Sequence, residues 1–172
     1  FVTEMVSNKY MTMLDLLNTF TAESSKTWFV ALFQLVYTLT VFSQIEFVHA
    51  DLHLKNIMIE ECAVPYKNYY IITNDAGIVE SIVGIESQYN TKIIDYDRSF
   101  FSEPGNSVSS IVKNLNAFAS KKKNKINYHN YDLFYSFKSI EDIIVENSNN
   151  IIYQSMAAYI KQTLYGNRDP NN

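Results

Sequence analysis

The chain has 172 residues, 47% of them hydrophobic, which is enough for one compact domain with a buried core. Its formal net charge of −4 argues against a general nucleic-acid-binding protein, because such proteins are usually basic. The single cysteine excludes an internal disulfide and a cysteine-rich zinc site, and it fits a reducing compartment. Since the N-terminal residues lack the pattern of a signal peptide, we expect an intracellular protein of the cytoplasm or nucleus that is not secreted.

The first part of the chain reads as an extended piece, a short helix and a long buried helix. Residues 1–6 are β-rich, and residues 10–20 carry apolar side chains at helical spacing. A hydroxyl side chain between 21 and 25 can cap a second helix that ends near Gln44. The apolar run of that helix, 28–42, has 15 residues, fewer than the roughly 20 that a membrane span needs. We therefore interpret it as a core helix and expect no membrane contact.

The remaining segments read as short strands followed by helices. The predicted elements are a polar loop at 49–56, a short strand at 56–60, a hairpin at 66–90, a short strand at 91–95, and helices at 106–120, 131–146 and 150–166. The sum is a single α+β domain over 1–172 that is mainly α-helical, with small β-hairpins beside the polar loop.

The polar loop holds side chains suited to phosphoryl transfer. His49 to Asn56 fits the pattern H-x-D-x-x-x-x-N, and Asp95 follows an apolar strand further on. Transfer from ATP requires a carboxylate that accepts the proton of the attacking hydroxyl, which is the role of Asp51. Two oxygen ligands must hold Mg²⁺ on the phosphates, and we assign Asn56 and Asp95 to them. A cation must balance the charge of the migrating group, and we assign Lys55 to that role.

Two short strands are expected to bring the metal ligands together. Residues 57–59 are apolar, residues 92–94 end in two isoleucines, and the two segments directly adjoin Asn56 and Asp95. If these strands pair, the amide and the carboxylate lie at the same end of the pair.

These motifs resemble the C-terminal lobe of the protein-kinase-like fold. The loop 49–56 is similar to the kinase catalytic loop, and residues 95–97, D-Y-D, stand where the family has D-F-G. Residues 1–17 look like the hinge, at 1–6, and the helix after it. Residues 130–134 resemble the start of the central helix of the lobe. The resemblance implies a metal-binding motif and activation segment over 95–130, C-terminal helices over 131–166, and ATP and Mg²⁺ as cofactors.

The resemblance also implies roles for residues outside the loop. Thr3 would be the gatekeeper, and the backbones of Glu4 and Val6 would bond the adenine ring. Met58 would form an apolar floor beneath the base. Asp132 would brace the backbone of the catalytic loop.

Departures from the family pattern indicate a divergent kinase. Ala50 replaces the usual arginine, so we expect no switch by phosphorylation of the activation loop. His53 stands where many protein kinases have lysine, and Asp97 replaces the glycine of D-F-G. No A-P-E motif is evident, and the stretch from Asn56 to Asp95 is unusually long. The chain is similar in these respects to haspin-like or large-DNA-virus serine/threonine kinases.

No Gly-rich loop or strand lysine of an N-terminal lobe is recognisable, so we expect that lobe to be missing from this chain and the isolated piece to be inactive. The expected partner is a protein substrate with a serine or threonine, and no nucleic acid. One alternative is a small-molecule kinase of the aminoglycoside or choline type, with Glu141, Asp142 and Glu146 binding a cationic metabolite. Another is a pseudokinase that acts as a binding scaffold.

Simpler interpretations stay open for several single residues. Asp51 is also compatible with an ordinary turn aspartate, and Lys55 with a solvated side chain. His49 and His53 have the i, i+4 spacing of part of a zinc site, although His49 is more typical of a packing residue beside Tyr96. The carboxylate of Asp132 can simply favour a helix N-terminus.

Overall fold

The computed structural model describes residues 9–21, 23–74, 76–101, 131–146, 153, 154 and 158. These residues are 44% helical and 35% strand, so the predicted α+β class is confirmed. The expectation of a mainly α-helical lobe is not borne out, because the strands beside the polar loop are much longer than predicted.

The predicted helix at 10–20 is divided into a strand and a shorter helix. Strand β1 is Tyr10–Thr12 and helix α1 is Met13–Asn18. The Thr12 hydroxyl accepts a hydrogen bond from the Asp15 backbone N–H, and the Asp15 carboxylate accepts one from the Thr12 N–H. This capping box starts the helix at Met13, so the residues before it are free to pair with a neighbouring strand.

Helix α2, Ser25–Gln44, is the central element of the core. Trp28, Ala31 and Leu35 are fully buried, and the helix ends at the predicted residue. At 20 residues it is longer than its apolar run suggested. In the described part of the chain it is the one helix whose length and composition would allow it to cross a membrane.

A single long hairpin replaces the two short strands and the separate hairpin that were predicted. Strand β3, Ile57–Thr73, pairs antiparallel with β4, Val79–Ile93, and the register sets Ile57 opposite Ile93. The predicted hairpin at 66–90 is its outer part, and the predicted short strands are the two ends at its base. β1 pairs with the base of β3, giving a three-stranded sheet in the order β1-β3-β4.

Two further elements flank the loop. Strand β2, Phe47–Val48, pairs with β5, Phe100–Phe101, and helix α3 is Tyr131–Glu146, as predicted. The inner face of α3 packs against the core through Phe137, Ile140 and Ile144. The predicted hinge, the helix at 106–120 and most of the helix at 150–166 lie outside the described residues.

Candidate active site

The loop at residues 49–56 connects β2 to β3, and its side chains alternate between core and solvent. Leu52 and Leu54 are buried in the core, whereas Asp51 is partly exposed and Lys55 is exposed. The loop ends in a 3-10 helical turn, Leu54–Asn56. The two buried leucines therefore anchor the backbone while the acid and the lysine face outward.

Asp132, in the first turn of α3, holds the start of this loop. Its two carboxylate oxygens accept hydrogen bonds from the consecutive backbone N–H groups of His49, at 2.7 Å, and Ala50, at 3.0 Å. Asp132 is buried, and this burial raises the pKa of its carboxyl, while the two backbone hydrogen bonds act in the opposite direction. The contact that the kinase resemblance implied is thus present.

The backbone that Asp132 holds is in an unusual conformation. Ala50 has φ of 66°, a left-handed value that residues other than glycine seldom adopt. One helical turn further along α3, the Ser136 hydroxyl donates to the Leu52 carbonyl at 3.3 Å. The helix therefore fixes the loop on both sides of Asp51.

His49 links the loop to the end of β4. The ring is fully buried, its Nε2 lies 2.9 Å from the Ile94 carbonyl oxygen, and the Tyr96 ring centroid is 5.1 Å away. The Asp51 N–H is directed at Nδ1, at 3.4 Å. A neutral ring that donates from Nε2 and accepts at Nδ1 satisfies both contacts. The interpretation of His49 as a packing residue beside Tyr96 is confirmed.

The zinc-pair interpretation of the two histidines has no support in the geometry. Both ring nitrogens of His49 face protein atoms, and no group of three or more His, Cys, Asp or Glu suited to a metal occurs among the described residues. His53 does not share a helix with His49, because the helical turn begins only after it. Its Nδ1 is buried without a hydrogen-bond partner in the part of the chain that the structure describes.

Asn56 and Asp95 lie at the same end of the long hairpin. The two strand ends pair as predicted, with 57–59 opposite 91–93, and the Ile94 N–H donates to the Asn56 carbonyl at 3.0 Å. The Asn56 side-chain Nδ2 donates to the Asp51 carbonyl, also at 3.0 Å. Asp95 follows with φ of 65°, which turns the chain away from the strand. The loop and the strand end are therefore tied together through Asn56.

Three carboxylates gather beside this junction. A hydrogen bond and the charge of Asp97 raise the pKa of Asp95, and the charge of Asp51 raises it further. Such crowding disfavours the ionised form unless a cation is near. Arg98 supplies one cation, because its Nη1 lies 3.4 Å from the Asp51 Oδ2.

Arg98 was not identified from the sequence, although a cation three residues after Asp95 was a visible signal. Lys55, which was assigned the charge-balancing role, is exposed. The pKa of Asp15 in α1 is lowered mainly by its hydrogen bonds with Thr12, and the charge of Lys55 lowers it further.

The predicted adenine contacts are mostly not described. Thr3, Glu4 and Val6 lie outside the described residues. Met58 is buried in β3, opposite Thr12 on one side and Lys92 on the other, so its position as a floor for the base stays a prediction.

No family model, no curated protein and no solved structure matches this chain.

The donor chemistry of the junction fits Mg²⁺ carried on a nucleotide. Magnesium prefers oxygen ligands and is usually bound by one or two protein groups together with phosphates and water. Because Asn56 uses its amide nitrogen on the Asp51 carbonyl, its amide oxygen is the atom left to face a cation. The carboxylate of Asp95 is exposed, and the neighbouring acids Asp97 and Asp51 raise its pKa.

Proposed function

We propose that this chain carries the catalytic part of an ATP- and magnesium-dependent phosphotransferase of the protein-kinase-like kind, with a serine or threonine hydroxyl as acceptor. The observation that carries the proposal is the double hydrogen bond from the His49 and Ala50 N–H groups to Asp132. A buried carboxylate on two consecutive N–H groups immediately before a partly exposed aspartate is a device for presenting that aspartate in one fixed geometry.

Asp51 is the proton acceptor in this proposal. The acceptor hydroxyl oxygen forms a bond to the γ-phosphorus, and the bond from that phosphorus to the β–γ bridging oxygen breaks. ADP leaves with the electron pair of the broken bond, and the hydroxyl proton passes to the Asp51 carboxylate. General-base assistance of this kind typically contributes about 10²–10⁴-fold to the rate.

Asn56 and Asp95 would hold the magnesium ion, which, when bound, neutralises charge on the phosphates. Asn56 is well suited because its backbone and side chain are both hydrogen-bonded, to Ile94 and to Asp51. These bonds fix its amide oxygen before any ligand arrives, so little ordering is required on binding.

A protein acceptor is favoured over a cationic metabolite by the charges on α3. The acids considered for a cation-binding pocket include Glu141 and Asp142, and both are ion-paired with Lys138, at 3.0 and 2.7 Å. Glu141 is also buried. These two carboxylates therefore already share a cationic partner within the protein itself.

The test is nucleotide binding and phosphate transfer in the full-length protein. Wild type should bind ATP in a magnesium-dependent manner by calorimetry and label serine- or threonine-containing peptides from γ-³²P-ATP. Asp51→Asn should bind nucleotide normally and lose at least about 10²-fold in kcat. Asp95→Asn should instead lose the magnesium dependence of binding, and Asp142→Asn serves as the matched acidic control with wild-type behaviour.

Two outcomes would contradict the proposal in different ways. Undiminished transfer by Asp51→Asn would remove Asp51 from the role of base. Absence of any magnesium-dependent nucleotide binding by wild type would favour the binding-scaffold alternative.

A further inference from the structure

Arg98 forms an ion pair with the carboxylate that must be free to accept a proton in the proposed reaction. Its Nη1 is 3.4 Å from the Asp51 Oδ2, and Asp51 is the proton acceptor of the proposed function, on which this inference rests. While the guanidinium lies beside this oxygen, the carboxylate is less accessible to the hydroxyl whose proton it would accept. The ion pair therefore describes a resting arrangement rather than a reacting one.

The backbone of Arg98 is anchored, whereas its side chain is not. The Ser99 N–H donates to the Tyr96 carbonyl at 3.0 Å, which closes a turn around Arg98. The Tyr96 ring packs against His49 and Phe47, at centroid distances of 5.1 and 6.0 Å. The Arg98 side chain is 58% exposed. Its guanidinium can thus change partner while its Cα stays in place.

The present partner of Arg98 is easily exchanged. Solvent-exposed ion pairs contribute little net stability, because the charges lose hydration and side-chain freedom when they pair. A nucleotide phosphate carries more negative charge than one carboxylate, and the planar guanidinium fork matches phosphate oxygens in a bidentate manner. A triphosphate at the junction of Asn56 and Asp95 would therefore compete well for Arg98.

We propose that Arg98 is the cation that binds the terminal phosphate of a nucleoside triphosphate, and that it is held on Asp51 until that nucleotide arrives. On binding, Arg98 leaves Asp51 for the γ-phosphate, which frees the Asp51 carboxylate for the acceptor hydroxyl. One side chain thereby protects the base in the resting protein and binds the group to be transferred.

This assignment takes the charge-balancing role away from Lys55. Lys55 is exposed and forms no ion pair with Asp51 among the described residues, whereas the Arg98 Nη1 lies 3.4 Å from the Asp51 Oδ2. The two assignments therefore predict different results. Only replacement of the cation that binds the γ-phosphate should reduce the preference of the protein for ATP over ADP.

The experiment compares a non-hydrolysable ATP analogue with ADP, both with Mg²⁺, by calorimetry on the full-length protein. Arg98→Gln should lower the preference for the ATP analogue over ADP by about tenfold or more, the range of one charge-assisted hydrogen bond. Arg98→Lys should restore part of the preference, because it keeps the charge without the planar fork. Lys55→Gln is the matched control and should retain the wild-type ratio.

NMR spectroscopy detects directly whether the Arg98 guanidinium moves from Asp51 to the nucleotide. The Arg98 guanidinium ¹⁵N resonances, assigned by their loss in Arg98→Lys, should shift on addition of the ATP analogue and much less on addition of ADP. Asp51→Asn should shift them in the nucleotide-free protein. A wild-type preference retained by Arg98→Gln but lost by Lys55→Gln would overturn this inference and leave the proposed function intact. Failure of wild type to bind either nucleotide would overturn the proposed function instead.

Discussion

Asp132 and His49 are separated by 83 residues in the sequence and joined by a 2.7 Å hydrogen bond. The same carboxylate also accepts the Ala50 N–H, so helix α3, Tyr131–Glu146, fixes the entry to the loop that carries Asp51. This contact connects the stability of the fold with the geometry of the candidate site, and four predictions follow from it and from its neighbours.

Replacing Asp132 should destabilise the protein more than replacing an exposed acidic residue of the same helix. Asp132→Ala leaves the buried His49 N–H and the partly buried Ala50 N–H without an acceptor, and a buried unpaired group costs about 1–3 kcal/mol. Asp132→Asn keeps one acceptor oxygen and should lose less. The free energy of unfolding from urea denaturation measures both, with the exposed Asp142→Ala as control. Equal free energies of unfolding for Asp132→Ala and the control would show that these hydrogen bonds do not stabilise the fold.

Ala50→Gly should stabilise the loop. Ala50 is held at φ of 66°, which costs an L-residue with a Cβ roughly 1 kcal/mol and costs glycine nothing sterically. Part of this gain is offset because glycine is more flexible in the unfolded chain, so we expect an increase below about 1 kcal/mol. Ala63→Gly, in strand β3 at an ordinary φ, should lower stability by about 0.5–1 kcal/mol. A loss of similar size in both variants would contradict the strain interpretation.

Alkaline unfolding should depend on Tyr131. Burial raises the pKa of its phenol to about 12, with smaller contributions from the charges of Tyr135, Asp132 and Asp51. Because the folded pKa exceeds the ordinary value of 10.0, the contribution of this group to stability is complete below pH 10 and is lost as the pH rises toward about 12. Tyr131→Phe should therefore reduce the slope of unfolding free energy against pH in that interval.

The control for this measurement is Tyr69→Phe, since Tyr69 is 66% exposed. It should leave the slope between pH 10 and 12 unchanged. The idea fails if the two phenylalanine variants reduce the slope equally.

Asn56→Asp should make stability dependent on magnesium. The change removes the amide donor to the Asp51 carbonyl and adds a fourth acid to the group formed by Asp51, Asp95 and Asp97. We expect a loss of about 1–3 kcal/mol without metal, of which millimolar Mg²⁺ restores a measurable part. Thermal unfolding with EDTA or Mg²⁺ tests this, and the exposed Asn18→Asp is the control. An identical response of the two variants to Mg²⁺ would argue against a cation site at Asn56.

Local patterns were sufficient for several elements because local interactions form them. The end of α2 at Gln44 and the whole of α3 follow from apolar residues at helical spacing. The hairpin at 66–90 follows from β-branched runs around a turn, which Gly77 closes at φ of 76°. The pairing of 57–59 with the end of β4 was also expected from the two short strands that adjoin Asn56 and Asp95.

The length of the hairpin was not visible in the sequence. The predicted strand at 56–60 stopped before Pro65, and the predicted hairpin began after it, at residue 66. A proline inside a run normally argues against a continuous strand. The register instead shifts between Glu61 and Tyr66, so a bulge accommodates the proline and the strand continues. Beyond the bulge, Tyr70 packs against Phe33 and Tyr37 of α2, at centroid distances of 5.0 and 4.9 Å, and this long-range contact keeps the strand on the core.

The sequence by itself determined the candidate residues of the loop, their spacing and the strand ends beside them, because a motif is a property of consecutive residues. Tertiary structure alone decided which distant groups meet that loop. Arg98 lies beside Asp51 because the His49–Tyr96 packing and the Ile94–Asn56 hydrogen bond join the end of β4 to the loop. Contacts of this kind depend on chain segments folding back against one another, and no local periodicity encodes the distance between two side chains brought together in that way.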